Sequence, residues 1–448
     1  MSGREAALTI WRAAVGAGDA RALVRAAIRR EGTVLDMKAG RVELAAVRRV
    51  IVLGCGKAAA AMAAALESVL GDRIDAGLVV VKDGYRAPTR LVEVAEAGHP
   101  VPDTRGEAAA DRLLALATGA GADDLVFVLI SGGGSALTPS PVPGVTLAEK
   151  QMVTRLLLES GATIGELNTV RKHLSRLKGG QLARAAAPAT MISLVLSDVI
   201  GDPLDVIASG PTAADPTSFA DALRVLGDRG LGMRVPPGVR RHLEAGARGE
   251  VAETPKPDDP LFRHVVNVVV GNNALVTAAA LAAARQLGYR AHVITRQLEG
   301  EAREAAREFV MRARAAEPPA CVIAAGETTV TVRGRGRGGR CQEFALAAAL
   351  ALEPDERLTI LAAGTDGTDG PTEAAGAVVD AHTAHRDEAT ARRARAALTD
   401  NDAYTFLRDV GDLVVSGPTN TNLLDLYLAI EAPPRTIAAP AGSGSAAL

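Results

Sequence analysis

Residues 50–59 read VIVLGCGKAA, and this stretch decides the fold class. The short apolar run 50–53 predicts a strand, and the alanine-rich residues 58–70 predict the helix that follows it. The glycines between them fit the G-x-G-x-x-G/A pattern of a dinucleotide-binding βα turn, although a tight turn without a ligand would also explain them. Lys57 favours an anion site, because a lysine at a helix N-terminus adds to the positive end of the helix dipole.

Short apolar runs alternate with longer alanine-rich stretches along the rest of the chain, which is typical of a mostly parallel sheet built from βαβ units. The run Leu125–Ile130 is apolar throughout, as in a strand that is buried on both faces. The predicted strands are 50–53, 77–81, 125–130, 190–196, 265–270, 292–295, 321–324, 328–332 and 358–362, and a further helix is predicted over 174–187. The close spacing near residues 328–332 suggests an antiparallel hairpin or a sheet edge.

The length of the chain predicts two domains, because 448 residues are too many for one ordinary hydrophobic core. Residues 235–260 are rich in proline, glycine and charge, which is typical of a domain boundary. We therefore predict one α/β domain over residues 1–255 and a second over residues 262–432. Residues 433–448 are rich in Pro, Ala, Gly and Ser and are predicted to be a disordered tail.

The composition argues against several classes of function. Aromatic residues make up 2% of the chain and the net charge is −2, so neither base-stacking platforms nor a basic footprint for nucleic acid or anionic membranes is expected. No apolar run approaches the roughly 18 residues of a membrane-spanning helix. The three scattered cysteines predict neither disulfides nor a metal site. These cysteines, and an amphipathic N-terminal helix without a signal core, favour a cytoplasmic protein.

A second glycine-rich loop follows the predicted strand Leu125–Ile130, at the end where open parallel sheets bind ligands. It consists of Ser131, Gly132, Gly133, Gly134 and Ser135. Consecutive glycines cost backbone entropy, and they are expected where main-chain N–H groups must approach a phosphate closely. A flexible surface loop is the alternative, but the strand before it is expected to be buried. We therefore predict that this loop binds the phosphates of a nucleotide.

Two further segments place charged residues after predicted strands. The arginine-glycine tract 333–340 lies inside a domain, so phosphate recognition by guanidinium groups explains it better than a nucleic-acid-binding tail does. Residues 364–372 read GTDGTDGPT, in which Asp366 and Asp369 are candidates for metal ligands or a general base. Asx turns would explain the same aspartates, and the spacing is not that of an EF-hand.

Longer motifs resemble those of one family, the class II glycerate 2-kinases with a C-terminal MOFRL domain. In the N-terminal half they are residues 98–103 (GHPVPD), 129–137 (LISGGGSAL), 168–180 (NTVRKHLSRLKGG), 196–203 (LSDVIGDP) and 208–212 (ASGPT). In the C-terminal half they are residues 325–330 (AGETTV), 338–343 (GGRCQE), 364–372 and 420–422 (NTN). The sequence has neither a Walker A motif nor the HRD and DFG motifs of protein kinases, so a kinase activity would have to rest on this different family.

The resemblance implies a Rossmann-like N-terminal domain, a smaller mixed α/β domain and an active site in the cleft between them. It also implies transfer of a phosphoryl group from ATP to the 2-hydroxyl of D-glycerate, with a divalent metal ion such as Mg²⁺. Lys57 and Arg340 are then expected to face one another across the cleft and to be essential. The family usually has Asn where Cys341 stands, so any contact of that side chain is left open.

The remaining site residues are assigned by what phosphoryl transfer requires, namely positioning, charge neutralisation and an activated hydroxyl. Asp198 and Asp366 are expected to be the general base or metal ligands, Asp369 a further metal ligand, and Ser131, Gly132, Gly133, Gly134, Ser135 and Glu327 the nucleotide site. The substrate carboxylate is expected at Arg171, Lys172 or Lys178, and contact with phosphate is the alternative for Lys178. A solvated helix face would also explain the charges of residues 171–173.

Two other functions are weighed against this one. An NAD(P)H-dependent hydroxypyruvate reductase is supported by residues 54–59 and by Asp83 after the next strand, but no His–Glu pair for hydride transfer is evident. A nucleotide sensor without catalysis is disfavoured by the intact set of candidate catalytic residues. We expect a monomer or homodimer that binds D-glycerate and neither nucleic acid nor membrane.

Overall fold

Two six-stranded sheets and one three-stranded sheet form the framework of the described residues, 1–38 and 40–431, in a computed structural model of the protein. The strands are β1 (Ile28–Glu31), β2 (Val34–Met37), β3 (Gly40–Glu43), β4 (Val50–Cys55), β5 (Ile74–Lys82), β6 (Glu93–Ala97), β7 (Leu125–Ile130), β8 (Thr190–Leu196), β9 (Val265–Gly271), β10 (Arg290–Leu298), β11 (Ala320–Gly326), β12 (Leu358–Gly364), β13 (Gly376–Asp380), β14 (Leu413–Val414) and β15 (Asp425–Glu431). The helices are α1 (Gly3–Ala17), α2 (Ala20–Ala27), α3 (Ala59–Leu70), α4 (Thr104–Thr118), α5 (Gly134–Leu137), α6 (Leu147–Glu159), α7 (Ile164–His173), α8 (Gln181–Ala186), α9 (Phe219–Asp228), α10 (Pro237–Ala247), α11 (Asn273–Gln286), α12 (Ala302–Arg314), α13 (Arg340–Ala351), α14 (Ala381–His385), α15 (Glu388–Thr399) and α16 (Ala403–Val410). The predicted tail, 433–448, lies outside the described residues.

The first large sheet is parallel throughout, with the spatial order β6-β5-β4-β7-β8-β9. Counted along the chain this is the order 3-2-1-4-5-6 of the Rossmann fold. Every residue of β4 and β7 is buried, which explains why both strands read as almost unbroken apolar runs. The strand order reverses between β4 and β7, and a ligand crevice is expected outside their carboxyl ends. The predicted Rossmann-like fold is therefore confirmed.

This sheet continues beyond residue 255, where the sequence placed the end of the first domain. β9 is its edge strand and pairs in parallel with β8. Residues 235–260 therefore precede the last strand of the first sheet rather than the first strand of the second. The stretch consists of α10 and a polar, proline-rich segment that leads to the edge strand, and such a segment has the same composition as an interdomain linker.

The second large sheet is mixed, with the order β10-β11-β15-β12-β13-β14. β10 and β11 are parallel, and the other neighbouring strands are antiparallel. β15 lies between β11 and β12, so that Asp425 at its start pairs with Gly326 and Gly364 at the ends of those strands. The antiparallel strand thereby brings Asp425 to the sheet edge at which β11 and β12 end.

Two predicted elements differ in the structure. Residues 328–332 do not form a strand, since only Thr329 makes an isolated bridge, to Glu301. The helix predicted over 174–187 is interrupted, because α7 ends at His173 and α8 begins only at Gln181. The physical reason is the glycine pair before α8: Gly179 and Gly180 both have left-handed φ, 59° and 78°, which a continuous helix excludes.

Helix α1 packs on the second sheet, although the sequence assigned it to the first domain. It contacts β12, β13 and β15. Its buried face consists of Ala6, Ala7, Ile10, Trp11 and Ala14. Arg4 donates to Asp412 at 2.5 Å and to Asp380 at 2.7 Å. The pattern of the segment predicts an amphipathic helix, but it contains no information about which sheet the helix covers.

Four helices, α6, α7, α9 and α10, pack around an apolar cluster of their own. They lie in the two long connections on either side of β8, and α7 carries Arg171. Within the part of the chain that the structure describes, no helix has the length and hydropathy needed to cross a membrane.

Candidate active site

The parallel sheet with its helices is called the first unit, and the mixed sheet with its helices the second unit. A cavity of about 950 Å³ is lined by residues of both units. Its polar lining includes Ser135, Asn168, Arg171, Asp198 and Ser209 from the first unit and Glu327, Arg340 and Asp369 from the second. Apolar side chains, among them Ile164, Val199, Ile200, Val206 and Val330, complete the wall. A large cleft with a few polar groups, at the switch point of a parallel sheet, is the usual form of a small-molecule site.

The glycine loop after β4 has no backbone N–H groups left for a dinucleotide. Gly56 donates to Val80 at 3.0 Å, Lys57 to Gly132 at 2.9 Å, and Ala58 to the Ser131 hydroxyl at 2.9 Å. A Cβ at Gly56 would lie 2.3 Å from the Ser131 carbonyl oxygen, so the close approach of the neighbouring loop requires this glycine. The dinucleotide-like spacing is therefore explained by packing between two loops.

Asp83, the other residue behind the reductase alternative, is engaged elsewhere. Both of its carboxylate oxygens accept hydrogen bonds from Arg105, at 2.7 and 2.8 Å. Holding the ribose hydroxyls of a nicotinamide cofactor would require this bidentate pair to be broken.

The glycine loop after β7 has free N–H groups. Among the described residues, no acceptor pairs with the backbone N–H of Gly132 or Gly133. Gly133 has a left-handed φ of 84° and lines the cavity. A Cβ at Gly132 would lie 2.2 Å from the Asp198 carboxylate, so a larger residue would close the site. Unpaired N–H groups at a turn that contains a left-handed residue are a common means of binding phosphate.

Lys57 connects the two units through an ion pair with Asp366, which follows β12. The ammonium and carboxylate are 2.5 Å apart, and the side chains are 12% and 10% exposed. Burial acts to lower the pKa of Lys57, but the attraction of Asp366 outweighs it and raises that pKa. Burial acts to raise the pKa of Asp366, and the Lys57 charge outweighs this and lowers it. Both groups are therefore charged at neutral pH.

Asp198 follows β8 and lines the cavity. The Asn422 amide donates to its carboxylate at 3.0 Å, which is a second bond between the two units. Burial raises the pKa of Asp198, although the Lys57 and Arg340 charges oppose the shift. A cavity-facing carboxylate with a raised pKa suits proton acceptance better than Asp366 does, because Asp366 is held by Lys57.

Arg340 begins α13 and is held from two sides. Its Nε and Nη2 donate to Asp425 at 2.5 and 3.1 Å, and its Nη1 donates to Glu327 at 2.6 Å. Burial acts to lower the pKa of Arg340, but Asp425 and Glu327 raise it, so the guanidinium stays charged. The two carboxylates fix the direction of the guanidinium on the cavity wall.

Asp369 anchors the helix that carries Arg340. Its carboxylate accepts the backbone N–H groups of Cys341 at 3.2 Å and of Gln342 at 2.8 Å, one on each oxygen. Both oxygens thereby cap α13, and the role of Asp369 as a metal ligand stays a prediction. The Cys341 side chain is fully buried in the core, so it makes no contact with a ligand in the cavity.

Two of the three cations predicted to bind the substrate carboxylate have structural partners instead. Lys172 is 2% exposed and lies 3.1 Å from Asp205 and 3.4 Å from Asp215. Lys178 is buried and donates to carbonyl oxygens of the segment 135–138, at 2.8 and 3.3 Å. Lys172 therefore neutralises the buried Asp215 and the half-buried Asp205, and Lys178 supports the end of the second glycine loop.

Arg171 is the remaining candidate, and its surroundings fit anion binding. It is half-buried and lines the cavity. Within residues 1–38 and 40–431, no hydrogen bond or ion pair engages its guanidinium. Burial lowers the pKa of Arg171 to about 10, which leaves it positively charged at neutral pH.

The carboxylates do not form a ready-made metal cluster. No group of three His, Cys, Asp or Glu residues in the described part of the chain is arranged to hold a metal ion. Mg²⁺ usually takes one or two protein carboxylates and completes its coordination with phosphate oxygens and water. Asp198 and Asp366 therefore fit a magnesium ion that arrives with a nucleotide.

The sequence analysis missed Asn422, Asp425 and the apolar wall of the cavity. Asn422 belongs to the NTN motif that supported the family resemblance, but the motif did not indicate what this residue does. Asp425 had no signal, since its position follows from the pairing of β15 with β11 and β12.

Fold and site together define a two-unit α/β protein with a polar cleft at the switch point of a Rossmann-like sheet. Family models match residues 6–244, described as a domain of unknown function (DUF4147), and residues 320–425, described as the MOFRL family. The D-glycerate 2-kinase of Thermotoga maritima is 44% identical, over 85% of this chain and 90% of its own length. A protein of Agrobacterium vitis named "Putative hydroxypyruvate reductase" is 43% identical, over 84% of this chain and 86% of its own. The crystal structure of glycerate kinase from Thermotoga maritima is similar with a TM-score of 0.81 at 40% identity, covering 96% of this chain and 99% of that one. The chain belongs to the glycerate 2-kinase family.

Proposed function

We propose that this protein transfers the terminal phosphoryl group of ATP to the 2-hydroxyl of D-glycerate, giving 2-phosphoglycerate and ADP. One contrast between the two glycine loops carries the proposal. The loop after β7 keeps the N–H groups of Gly132 and Gly133 free for phosphate, whereas the dinucleotide-like loop after β4 uses all of its own within the protein. Membership of the glycerate 2-kinase family supports the same conclusion and argues against the reductase.

The two substrates are assigned to different residues of the cavity lining. The nucleotide phosphates would bind the segment 131–135, with Glu327 near the nucleotide and Arg340 on the transferring phosphoryl group. The glycerate carboxylate would bind Arg171, a guanidinium with unused N–H groups on the same cavity wall. Asp425 and Glu327 would keep Arg340 aimed at the phosphoryl group.

The reaction follows from the charges around Asp198. As the 2-hydroxyl oxygen attacks the terminal phosphorus, its proton passes to the Asp198 carboxylate. The bond from that phosphorus to the bridging oxygen breaks, and ADP leaves with the electron pair. Lys57 and Arg340 offset the negative charge on the phosphoryl oxygens, which is the main protein contribution in phosphoryl transfer. Asp366 keeps Lys57 charged and in position.

Asp366 and Asp198 are the carboxylates that would hold Mg²⁺. We assign Asp366 as the main ligand, because Asp198 is the proton acceptor. When bound, the ion would neutralise charge on the nucleotide phosphates. Magnesium use, a monomeric or homodimeric state and the cytoplasmic location stay predictions.

A coupled assay tests the proposal. Purified protein is incubated with D-glycerate, ATP and Mg²⁺, ADP release is followed, and the product is assigned as the 2- or 3-phosphate by NMR. We expect ADP and 2-phosphoglycerate in equal amounts. Absence of ADP together with NADH oxidation on hydroxypyruvate would establish the reductase instead.

Variants locate the chemistry within the cleft. Lys57→Ala and Arg340→Ala are each expected to abolish turnover while circular dichroism shows an intact fold. Arg335→Ala is the matched control, because Arg335 is an exposed arginine in the same tract. Wild-type rates in either of the first two variants would remove that residue from the site.

A further inference from the structure

A second cavity, of about 370 Å³, shares Ser135 and Arg171 with the wall of the first. Four of the described residues that line it are cationic, namely Lys150, Arg155, Arg171 and Lys178. None of the described lining residues is acidic. This is a strong local excess of positive charge in a chain whose net charge is −2. Such an excess marks a place where an anion is favoured.

Three of these cations are buried or half-buried with donors to spare. The Lys150 ammonium is 7% exposed and donates to one carbonyl oxygen, that of Leu174 at 3.0 Å, which leaves two N–H groups. Lys178 uses two of its three N–H groups, and the Arg171 guanidinium uses none. No carboxylate of the described residues lies within ion-pair distance of any of the three. Burying a charge without a counter-ion is costly, so these groups either give up a proton or take up an anion.

The three groups are also close enough to repel one another. Burial lowers the pKa of Lys150 well below its ordinary value, and Lys178 and Arg171 lower it further, while Glu107 opposes them. Burial lowers the pKa of Lys178 to about 7, and Arg171 adds to this shift. An anion between these groups would relieve both the burial and the repulsion.

The remainder of the lining is largely apolar. It includes Pro139 and Leu147 inside, and Val101 and Leu158, which are 65% and 61% exposed. A volume of about 370 Å³ lies near the lower end of the range for small-molecule sites. The ligand is therefore small, with one charged end and one apolar end.

We propose that this second cavity binds an organic phosphate monoester, with its phosphate on Lys150, Arg171 and Lys178 and its apolar substituent against Pro139 and Leu147. A phosphate dianion fits three cations better than a carboxylate does, because it carries more charge and more acceptor oxygens. The site shares Arg171 with the glycerate site proposed above, so the two ligands would compete for that guanidinium, while phosphate binding itself does not require the kinase reaction.

Phenyl phosphate is a suitable probe, and its binding to the full-length protein can be measured by isothermal titration calorimetry without ATP or glycerate. Lys150→Met removes one charge but keeps the length of the side chain, and Thr154→Phe fills the cavity but keeps every charge. We expect each variant to weaken binding at least about tenfold, as for the loss of a charge-assisted hydrogen bond. Met152→Phe, on the exposed side of the same helix, is expected to bind like wild type.

Three further measurements make the result decisive. Phenol, which lacks the phosphate, is expected not to bind. Lys57→Ala is expected to leave phenyl phosphate binding unchanged, which separates this cavity from the active-site cleft. Thermal unfolding checks each fold, and Thr154→Phe decides the matter if Lys150→Met fails to fold. The proposal is overturned if phenyl phosphate does not bind, if Thr154→Phe binds it as wild type does, or if Lys57→Ala abolishes binding.

Discussion

The ion pair between Lys57 and Asp366 allows catalysis and stability to be separated by experiment. Lys57→Met removes the cation from beside the Asp366 carboxylate, whose side chain is 10% exposed in the wild type. Among the described residues, this carboxylate then keeps hydrogen bonds only from Thr368, at 3.0 and 3.2 Å. Removing one partner of a buried pair costs about 3–5 kcal/mol, because a charge is left without compensation. Both side chains are only about a tenth exposed, so little of this is lost to solvent screening. We expect a loss of about 3 kcal/mol, since Thr368 still stabilises the carboxylate.

The double variant Lys57→Met/Asp366→Asn removes the buried charge as well as the cation. We expect its loss of unfolding free energy to shrink to about 1 kcal/mol, which gives a coupling energy of about 2 kcal/mol. Turnover stays absent in both variants, because Lys57 acts on the phosphoryl group and not only on Asp366.

Urea unfolding followed by circular dichroism measures the stabilities, and ADP release measures turnover. Lys82→Met is the matched control: the Lys82 ammonium lies 5.3 Å from the centre of the Tyr85 ring and has no ion pair within the described residues. We expect that control to unfold within about 0.5 kcal/mol of wild type. Equal stabilities for the single and double variants would refute the buried-pair argument, and recovered turnover in the double variant would refute the catalytic role of Lys57.

Four further outcomes follow from the site. Asp198→Asn is expected to lower kcat by about 10²–10⁴-fold. Wild-type kcat/KM is expected to fall with decreasing pH already above the ordinary aspartate range, because the raised pKa of Asp198 leaves it protonated there. A kcat/KM that stays unchanged through that range would contradict the assignment. Asp366→Asn is expected to raise the Mg²⁺ concentration needed for half-maximal rate more than Asp198→Asn does, and the opposite order in a Mg²⁺ titration would exchange their roles. Arg171→Met is expected to raise the KM for glycerate at least about tenfold with little change in the KM for ATP, and equal changes in both constants would argue against carboxylate binding. The pKa of Lys178 is about 7 in the folded protein and about 10.4 in the unfolded chain, so between these pH values the unfolded chain binds more protons and the wild-type free energy of unfolding rises by up to about 1.4 kcal/mol per pH unit. Urea unfolding across that range should show this contribution missing in Lys178→Met. Equal slopes of unfolding free energy against pH in the two proteins would contradict it.

The parallel sheet could be predicted because burial on both faces leaves a mark in the sequence. Leu125–Ile130 and Thr190–Leu196 were predicted with the bounds that the structure has. The positions of the glycine loops follow from the sheet, since each loop begins where a strand ends. Which loop keeps free N–H groups could not be predicted, because that depends on the Ser131 hydroxyl reaching the Ala58 N–H from another part of the chain.

Two neighbouring charged residues of α7 show the same limit of prediction from sequence. Arg171 and Lys172 are adjacent, and successive residues of a helix point about 100° apart. One turns toward the cavity and the other toward Asp205 and Asp215. Sequence motifs identify such a segment, but only the surrounding fold decides which of its cations is available to a ligand.

Helix α1 has a consequence for the order in which the protein can fold during synthesis. Arg4 and Asp412, which pair at 2.5 Å, are 408 positions apart in the chain. The helix leaves the ribosome before the strands that it covers, so its apolar face stays without its packing partner until β15 has been translated. A fragment containing only the second sheet would lack the Ile10 and Trp11 side chains that cover it. Grafting residues 2–17 onto that fragment should therefore improve its solubility.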